Sequence, residues 1–304
     1  MDGFYIIKAH ETPEGLTATF NNSEITKKYE ESPLEVNLYK FPANSGFSID
    51  CPVIETAAKS YFIVSGKSEN LETGTVLSPG DLRVVRKSDE YLNLYMHEET
   101  IILVHAVNME SFKVIERSVA NVSGILESIQ VKDSYTSEHC GRVFKLVYAM
   151  SLRLGYSGKK LYNILRAARY HDIGKIFIDG NILAKPEKLT ADEYREMQKH
   201  VMLGKELILD SFGEEIFAII SQHHERVDGS GYPFGLVGSS ISEEGRVMAI
   251  CDTFDAMTTD RVYKKAMTQE DALAELMKGA GVGYDAKLME TFISMLANRH
   301  AFLS

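Results

Sequence analysis

The stretch HHERVDGSGYP, residues 223–233, decides how the second half of the chain is read. It closes EEIFAIISQHHE (214–225), whose apolar residues recur at helical spacing, and it runs into a glycine-rich turn ending in Tyr-Pro. Adjacent residues on a helix point about 100° apart, so one face cannot collect both imidazoles unless the target lies between them. Either one of the two histidines is structural, or both reach a centre broad enough to be met from two directions. Working outward, the same helical spacing appears in EHCGRVFKLVYAMSLRLG (138–155), KKLYNILRAARYHDIGK (159–175) and RVMAICDTFDAMT (246–258). QEDALAELMKG (269–279) and AKLMETFISMLANRH (286–300) carry it as well. Thr190 and Thr268 stand where helix N-caps are expected, each followed by acids in the first turn. Strand signals are almost absent, so residues 133–304 are expected to form an all-α helical bundle.

Upstream the pattern is different. LEVNLYKF (34–41), SYFIVSG (60–66), LRVVR (82–86) and TIILVHAV (100–107) are rich in β-branched and aromatic residues, and SPGD (78–81) reads as a turn. Residues 1–107 are therefore expected to form a small β-rich (α+β) domain with a sensory or interaction role. The pattern around SPGD resembles cupin or cyclic-nucleotide-binding β-rolls. His10, His97 and His105 are too dispersed to propose a metal site there. Between the two regions, Phe112, Ile115, Val119, Val122, Leu126 and Ile129 form a heptad-like stripe, which predicts a connector helix over 108–132. Such a stripe packs against the following domain or seals a homodimer.

Composition bounds the function. With 44% hydrophobic and 25% charged residues, the chain has the make-up of a soluble globular protein. Its longest apolar runs fall far short of the roughly 20 residues of a membrane span. The start, MDGFYIIKAHETPEG, has no secretory pattern, and three scattered cysteines fit a reducing cytoplasm. Residues 1–110 hold 9 Lys/Arg against 17 Asp/Glu, a balance of −8, while the remainder holds 24 against 26, a balance of −2. The acidic N-terminal part argues against DNA as a partner, and an anionic substrate falls to the C-terminal part.

Six of the nine histidines lie in the helical half. Along it stand His139, His171-Asp172, His200, His223-His224 and Asp252. One histidine on an apolar helix is usually a satisfied structural residue; five of them with two aspartates, on separate amphipathic segments, call for shared partners. Imidazole and carboxylate without thiolate favour Fe, Mn, Zn or Ni. Seven candidate ligands exceed the four of a structural zinc, and two cations about 3.5–4 Å apart would use them. Cys140 and Cys251 are assigned to core packing.

HDIGK (171–175) followed by HHERVDGSGYPFGL (223–236) resembles the HD-GYP family, metal-dependent cyclic di-GMP phosphodiesterases of the HD superfamily. YTSEHCGRV (135–143), KHVMLG (199–204), RVMAICDTFDAMTTDRVYKKAM (246–267) and GYDAKLM (283–289) extend the resemblance in order. It implies that His139, His171, Asp172, His200, His223, His224 and Asp252 are metal ligands, with Asp172 bridging two divalent ions. Iron is the expected metal, with manganese as the second choice. It further implies a metal-bridged hydroxide as nucleophile, pGpG as product with GMP as a further one, and Lys175 near the phosphate or the leaving oxygen. Gly231 and Tyr232 would line the substrate groove, Arg261 and Lys264 would hold phosphate or guanine, and Glu225 and Asp228 would position the loop. GGDEF-type proteins are the implied protein partners. A receptor or adaptor for cyclic di-GMP with weak or lost catalysis is the alternative, and a phosphohydrolase for another cyclic dinucleotide a third reading.

Three positions depart from the family pattern. Tyr135 stands where some relatives have a glutamate that supports a third metal, so two metals are expected and not three. Ser242 and Val262 replace prolines, which is expected to loosen their loops.

Overall fold

The structure, a computed structural model, describes residues 17–20, 23–31, 34–43, 45–49, 58–71, 73–85, 92–107, 134–260 and 265–297. A β-rich region precedes a helical domain, and the chain divides into two compact units, Met1–Gly124 and Ile125–Ser304. The expected connector helix over 108–132 lies outside the described residues, as do Arg261 and Lys264.

In the first unit, a six-stranded antiparallel sheet has the order β1 (Thr17–Phe20), β2 (Ser23–Glu31), β3 (Leu34–Phe41), β10 (Thr100–Val107), β5 (Ala58–Ser65), β8 (Leu82–Val85). A second sheet has the order β4 (Ser45–Ile49), β9 (Leu92–Met96), β6 (Ser68–Asn70), β7 (Val76–Leu77). Alternation along β3 and β10 buries every second residue, as period-2 side chains require. Tyr39, Phe41, Ile63, Leu94, Met96 and Ile102 are core residues on that inner side. The four strands legible in the sequence are present, and the SPGD turn is closed by Asp81, whose carboxylate accepts from the Ser78 amide at 2.7 Å. β2, with SEITKKYEE, carries too many charges to read as a strand alone; pairing on both sides holds it in the sheet.

The second unit is helical: α1 (Ser134–Arg153), α2 (Gly158–Tyr170), a 3-10 turn (Ile173–Phe177), α3 (Gly180–Leu183), α4 (Ala191–Gln198) and α5 (His200–Leu203). There follow α6 (Lys205–Phe212), α7 (Glu214–Ser221), α8 (Glu243–Thr258), α9 (Gln269–Lys278) and α10 (Ala286–Ala297). α8 is central: Val247, Met248, Ile250, Cys251 and Phe254 are buried on several of its faces, and α1, α2, α7, α9 and α10 pack around it. Thr190 opens α4 with a capping box shared with Glu193, and Thr268 caps α9.

Two helices end sooner than their apolar spacing suggests. The segment expected to be helical over 159–175 stops at Tyr170, and that over 214–225 stops at Ser221. The cause is histidine chemistry. His171 Nδ1 lies 3.0 Å from the Ala168 carbonyl and His223 Nδ1 lies 2.6 Å from the Ile220 carbonyl. At the end of α4, His200 Nδ1 lies 2.6 Å from the Met197 carbonyl. The last carbonyls of a helix lack the amide four residues on, and each imidazole adds a donor to one of them. Helices thus end where the candidate ligands begin.

Candidate metal centre

A carbonyl oxygen can only accept, so His171, His200 and His223 each carry a proton on Nδ1 and turn Nε2 the other way, a lone pair wherever the ring is neutral. His139, on α1, is oriented through a different partner: its Nδ1 donates to Asp255 Oδ2 at 2.7 Å. Arg142 in turn donates to both Asp255 oxygens, at 2.8 and 3.1 Å, and fixes that carboxylate. His224 presents Nδ1 instead, 3.7 Å from Asp252 Oδ2.

The two aspartates stand between the imidazoles. Asp172 turns Oδ2 toward His139 and His171, at 3.7 and 3.6 Å, and Oδ1 toward His200 Nε2 at 3.3 Å. Asp252, on α8, places Oδ1 3.0 Å from His139 Nε2 and 3.7 Å from His171 Nε2. Two groups of potential ligands result, His139 with His171 and Asp172, and His200 with His223 and His224; within each, the donor atoms lie within 4.8 Å of one another. Each aspartate faces both groups. All seven positions singled out in the sequence come together, and six are nearly inaccessible to solvent.

The donors fit a cation. His200 Nε2 and His223 Nε2 are buried and make no hydrogen bond, which is costly unless a further group binds them. Burial pushes the His200 imidazole down to about 4 and, with His171 beside it, that of His223 to about 3. Burial and His223 hold His224 well below the usual histidine range. Those three rings are neutral, as metal ligands must be. Burial opposes protonation of His139 too, but hydrogen bonds to Asp252 and Asp255 push it up to about 9. Burial would raise Asp172, but Lys175, His171 and His200 hold it well below the usual carboxylate range.

Backbone approach makes this convergence possible. A Cβ on Gly174 would stand 1.9 Å from the His200 carbonyl oxygen, and one on Gly204 would stand 2.7 Å from Ile173 Cγ2. Only glycines let the 3-10 turn and α5 meet so closely, and that contact sets Asp172 beside His200. Lys175 belongs to the 3-10 turn, not to a helical face, and its ammonium donates to Asp172 Oδ2 at 2.6 Å.

The GYP loop is tied down from within. Glu225, buried, accepts from the Phe234 and Leu236 amides at 2.7 and 2.9 Å, and Asp228 accepts from the Ser230 amide and hydroxyl. Gly231 packs on the Glu225–Arg226 backbone, where a Cβ would approach to 2.4 Å. The Tyr232 ring lies 4.7 Å from that of His224, which in turn lies 3.9 Å from His223. His223 and His224 therefore do not diverge as helical neighbours would, because α7 has already ended. Ser242 is likewise no loosened proline site: its amide and hydroxyl donate to Gln222 Oε1 and its Oγ caps α8. Asp255 was not singled out from the sequence, although it lies three residues after Asp252, on the same helix face. Side-chain placement at Tyr135 lies outside the described residues.

Residues 121–288 match the HD domain family. A cyclic di-GMP phosphodiesterase response regulator of Xanthomonas campestris pv. campestris is 38% identical over 60% of this chain and 49% of its own. A probable cyclic di-GMP phosphodiesterase of Vibrio cholerae is 32% identical over 68% of this chain and 50% of its own. A 3'3'-cGAMP-specific phosphodiesterase of the same organism is 36% identical over 59% of this chain and 35% of its own. The chain spans about half the length of the first two relatives. Among the described residues, no helix is long and apolar enough to cross a membrane.

Proposed function

The chain belongs to the HD domain family, in its HD-GYP branch, and from that premise we propose that it is a metal-dependent phosphodiesterase that opens cyclic di-GMP to pGpG and carries some of it on to GMP. The observation that carries this reading is the inward convergence of imidazole Nε2 atoms, each fixed from behind through Nδ1, around two ionised carboxylates.

His139, His171, Asp172, His200, His223, His224 and Asp252 would hold two divalent cations, iron first and manganese second. When bound, the pair would supply Lewis-acid charge for the phosphodiester oxygens and make a water acidic enough to attack at neutral pH. Asp172 spans both ligand groups. Lys175 keeps it ionised and has two further N–H bonds to offer the departing ribose oxygen. Tyr232 extends the row of rings begun by His223 and His224, and we assign it to contact with a base. Arg261 and Lys264 are assigned to phosphate or guanine on the motif alone. Phe234 and Val237, exposed on the same loop, form the face we assign to a GGDEF-type partner.

Anaerobic purification with metal analysis, paired with cyclic di-GMP hydrolysis, tests the reading. Metal near two ions per chain with pGpG release supports it; a metal-loaded protein that binds cyclic di-GMP without releasing pGpG makes it a receptor instead. The relatives specific for 3'3'-cGAMP favour a second substrate reading, which the same assay run on both dinucleotides decides.

A further inference from the structure

His224 stands apart from the other imidazoles of the centre. His139, His171, His200 and His223 are each held from behind through Nδ1. His224 turns Nδ1 toward Asp252 Oδ2 at 3.7 Å and, among the described residues, its ring makes no hydrogen bond. His223 and Tyr232 lie against that ring, at 3.9 and 4.7 Å between centroids, and set its tilt but not its distance from Asp252. α7 has ended at Ser221, so no helical ladder carries the residue. Its carbonyl accepts from the Tyr232 amide at 3.2 Å, which ties it to its own loop and not to α8.

Two residues further on, Arg226 supplies the missing link. Its Nη2 donates to Thr253 Oγ1 at 3.3 Å, and Thr253 follows Asp252 directly on α8. Its Nη1 donates to the Glu225 carbonyl at 2.9 Å, and its guanidinium carbon lies 4.9 Å from the centre of the Tyr284 ring. A guanidinium is planar and holds its N–H groups in a fixed fork, so a ring laid against it also aims its donors.

The platform under Arg226 is itself fixed. A Cβ on Gly279 would stand 2.9 Å from Tyr284 Cδ2, so the ring packs directly on backbone. The Tyr284 amide donates to the Gly279 carbonyl at 3.0 Å, its carbonyl accepts from the Gly281 amide at 2.8 Å, and its hydroxyl donates to Thr253 Oγ1 at 3.1 Å. The Gly283 carbonyl accepts from the Val227 amide at 3.1 Å, and Asp285 pairs with Arg246, which lies about two turns before Thr253 on α8. GVGYD (281–285) is thereby fastened both to α8 and to the loop that starts at His223, with Arg226 between them.

We propose that Arg226 is a positioning residue for His224. Laid on Tyr284 and bonded to Thr253, it sets the distance from His224 to Asp252, and with it the affinity of the ion that His200, His223 and His224 would hold. This rests on the two-metal reading above and adds to it a link that no ligand supplies.

The full chain, freed of metal by chelation, is titrated calorimetrically with manganese(II) and is also melted without metal. The wild type takes up two ions. Arg226→Met, which keeps the length and loses the fork, weakens one of them about 10–100-fold and the other by less than about threefold. Arg226→Lys, a charge without the plane, stays weaker than wild type by about fivefold or more. Thr253→Val removes the acceptor at constant shape and weakens the same ion by about threefold or more, and it decides the matter should Arg226→Met fail to fold. Without metal, each variant melts within about 3 °C of the wild type, whereas a merely structural residue would lower Tm further and weaken both ions alike. Unchanged manganese affinity in Arg226→Met, equal weakening of both ions, or full recovery in Arg226→Lys overturns the proposal and leaves the two-metal reading standing. A wild type that takes up fewer than two ions overturns both.

Discussion

In the helical unit His171, His200 and His223 leave water with one ring nitrogen tied to a carbonyl three residues earlier, and His139 with one tied to Asp255, so that each turns its other nitrogen toward the shared centre. In the β-unit Glu35, Asn37 and Lys59 leave water because strand alternation turns them inward, and register alone decides which of them meet. The first arrangement is local and repeats at helix ends. The second is assembled across strands from distant parts of the chain. A centre built from locally anchored groups has its open atoms fixed before anything binds, which is what tight metal coordination requires.

The largest effect that would break this contrast is at Asp172, which faces both histidine groups and accepts from Lys175. Asp172→Asn keeps the shape and removes the charge. It is expected to lower pGpG release by about 10³-fold or more and to deplete bound metal. Metal analysis and product chromatography check it. Retained metal and turnover would mean that the anchored imidazoles suffice without the bridging acid.

Acid and base should attack the metal-free protein from opposite sides. His200 and His223 have folded-state pKa values of about 4 and 3, below the unfolded 6.5, so the unfolded chain binds more protons and stability falls as pH drops from 6.5 toward 4. His139, raised to about 9, contributes stability that is complete below 6.5 and is lost as pH rises through 9. Each group contributes at most about 1.4 kcal/mol per pH unit within its window. Thermal melts after chelation should therefore peak near pH 6.5 and fall on both sides. Metal should lift the alkaline side most, since it replaces the proton on His139.

Asp255→Asn sharpens the contrast further, because it removes the only anchor among the four that is not a carbonyl. The amide still reaches His139, but without the charge that Arg142 holds in place. Metal affinity is expected to drop about 10–100-fold, with activity returning at high metal concentration. A loss of turnover that added metal does not restore would place Asp255 in the reaction itself.

How much of this the sequence displayed follows from the same contrast. All seven residues brought together at the centre stand in short motifs, and their chemistry shows without any knowledge of tertiary structure. What the motifs concealed was the anchoring: HDIGK and HHE read as continuing helices because apolar spacing does not register that a histidine can take over the last carbonyl. Asp255 was visible only as the second acid of DTFD, three residues after Asp252, a spacing that marks a shared face but no role. In the β-unit, Glu35 and Lys59 look like ordinary exposed charges of LEVNLYKF and AKSYFIVS. They become neighbours only once β10 is known to lie between β3 and β5.

The smallest effect concerns Ser242, where a proline is expected to tighten the loop through its fixed φ. Ser242 has φ −55°, and the preceding Ile241 is already extended at φ −85° and ψ 126°, so the backbone itself would accept the ring. Restricting the unfolded chain would gain about 0.4–1 kcal/mol. Against that, Ser242→Pro deletes the amide and hydroxyl that meet Gln222 Oε1 and the Oγ that caps α8. A lost cap alone costs about 1 kcal/mol, and a half-buried amide oxygen left without donors about as much again. The balance is a loss of about 1 kcal/mol, or a Tm lower by about 2–4 °C. Because Gln222 immediately precedes His223, metal affinity should weaken in parallel. A higher Tm with unchanged metal affinity would show that this contact does not help to seat the paired histidines.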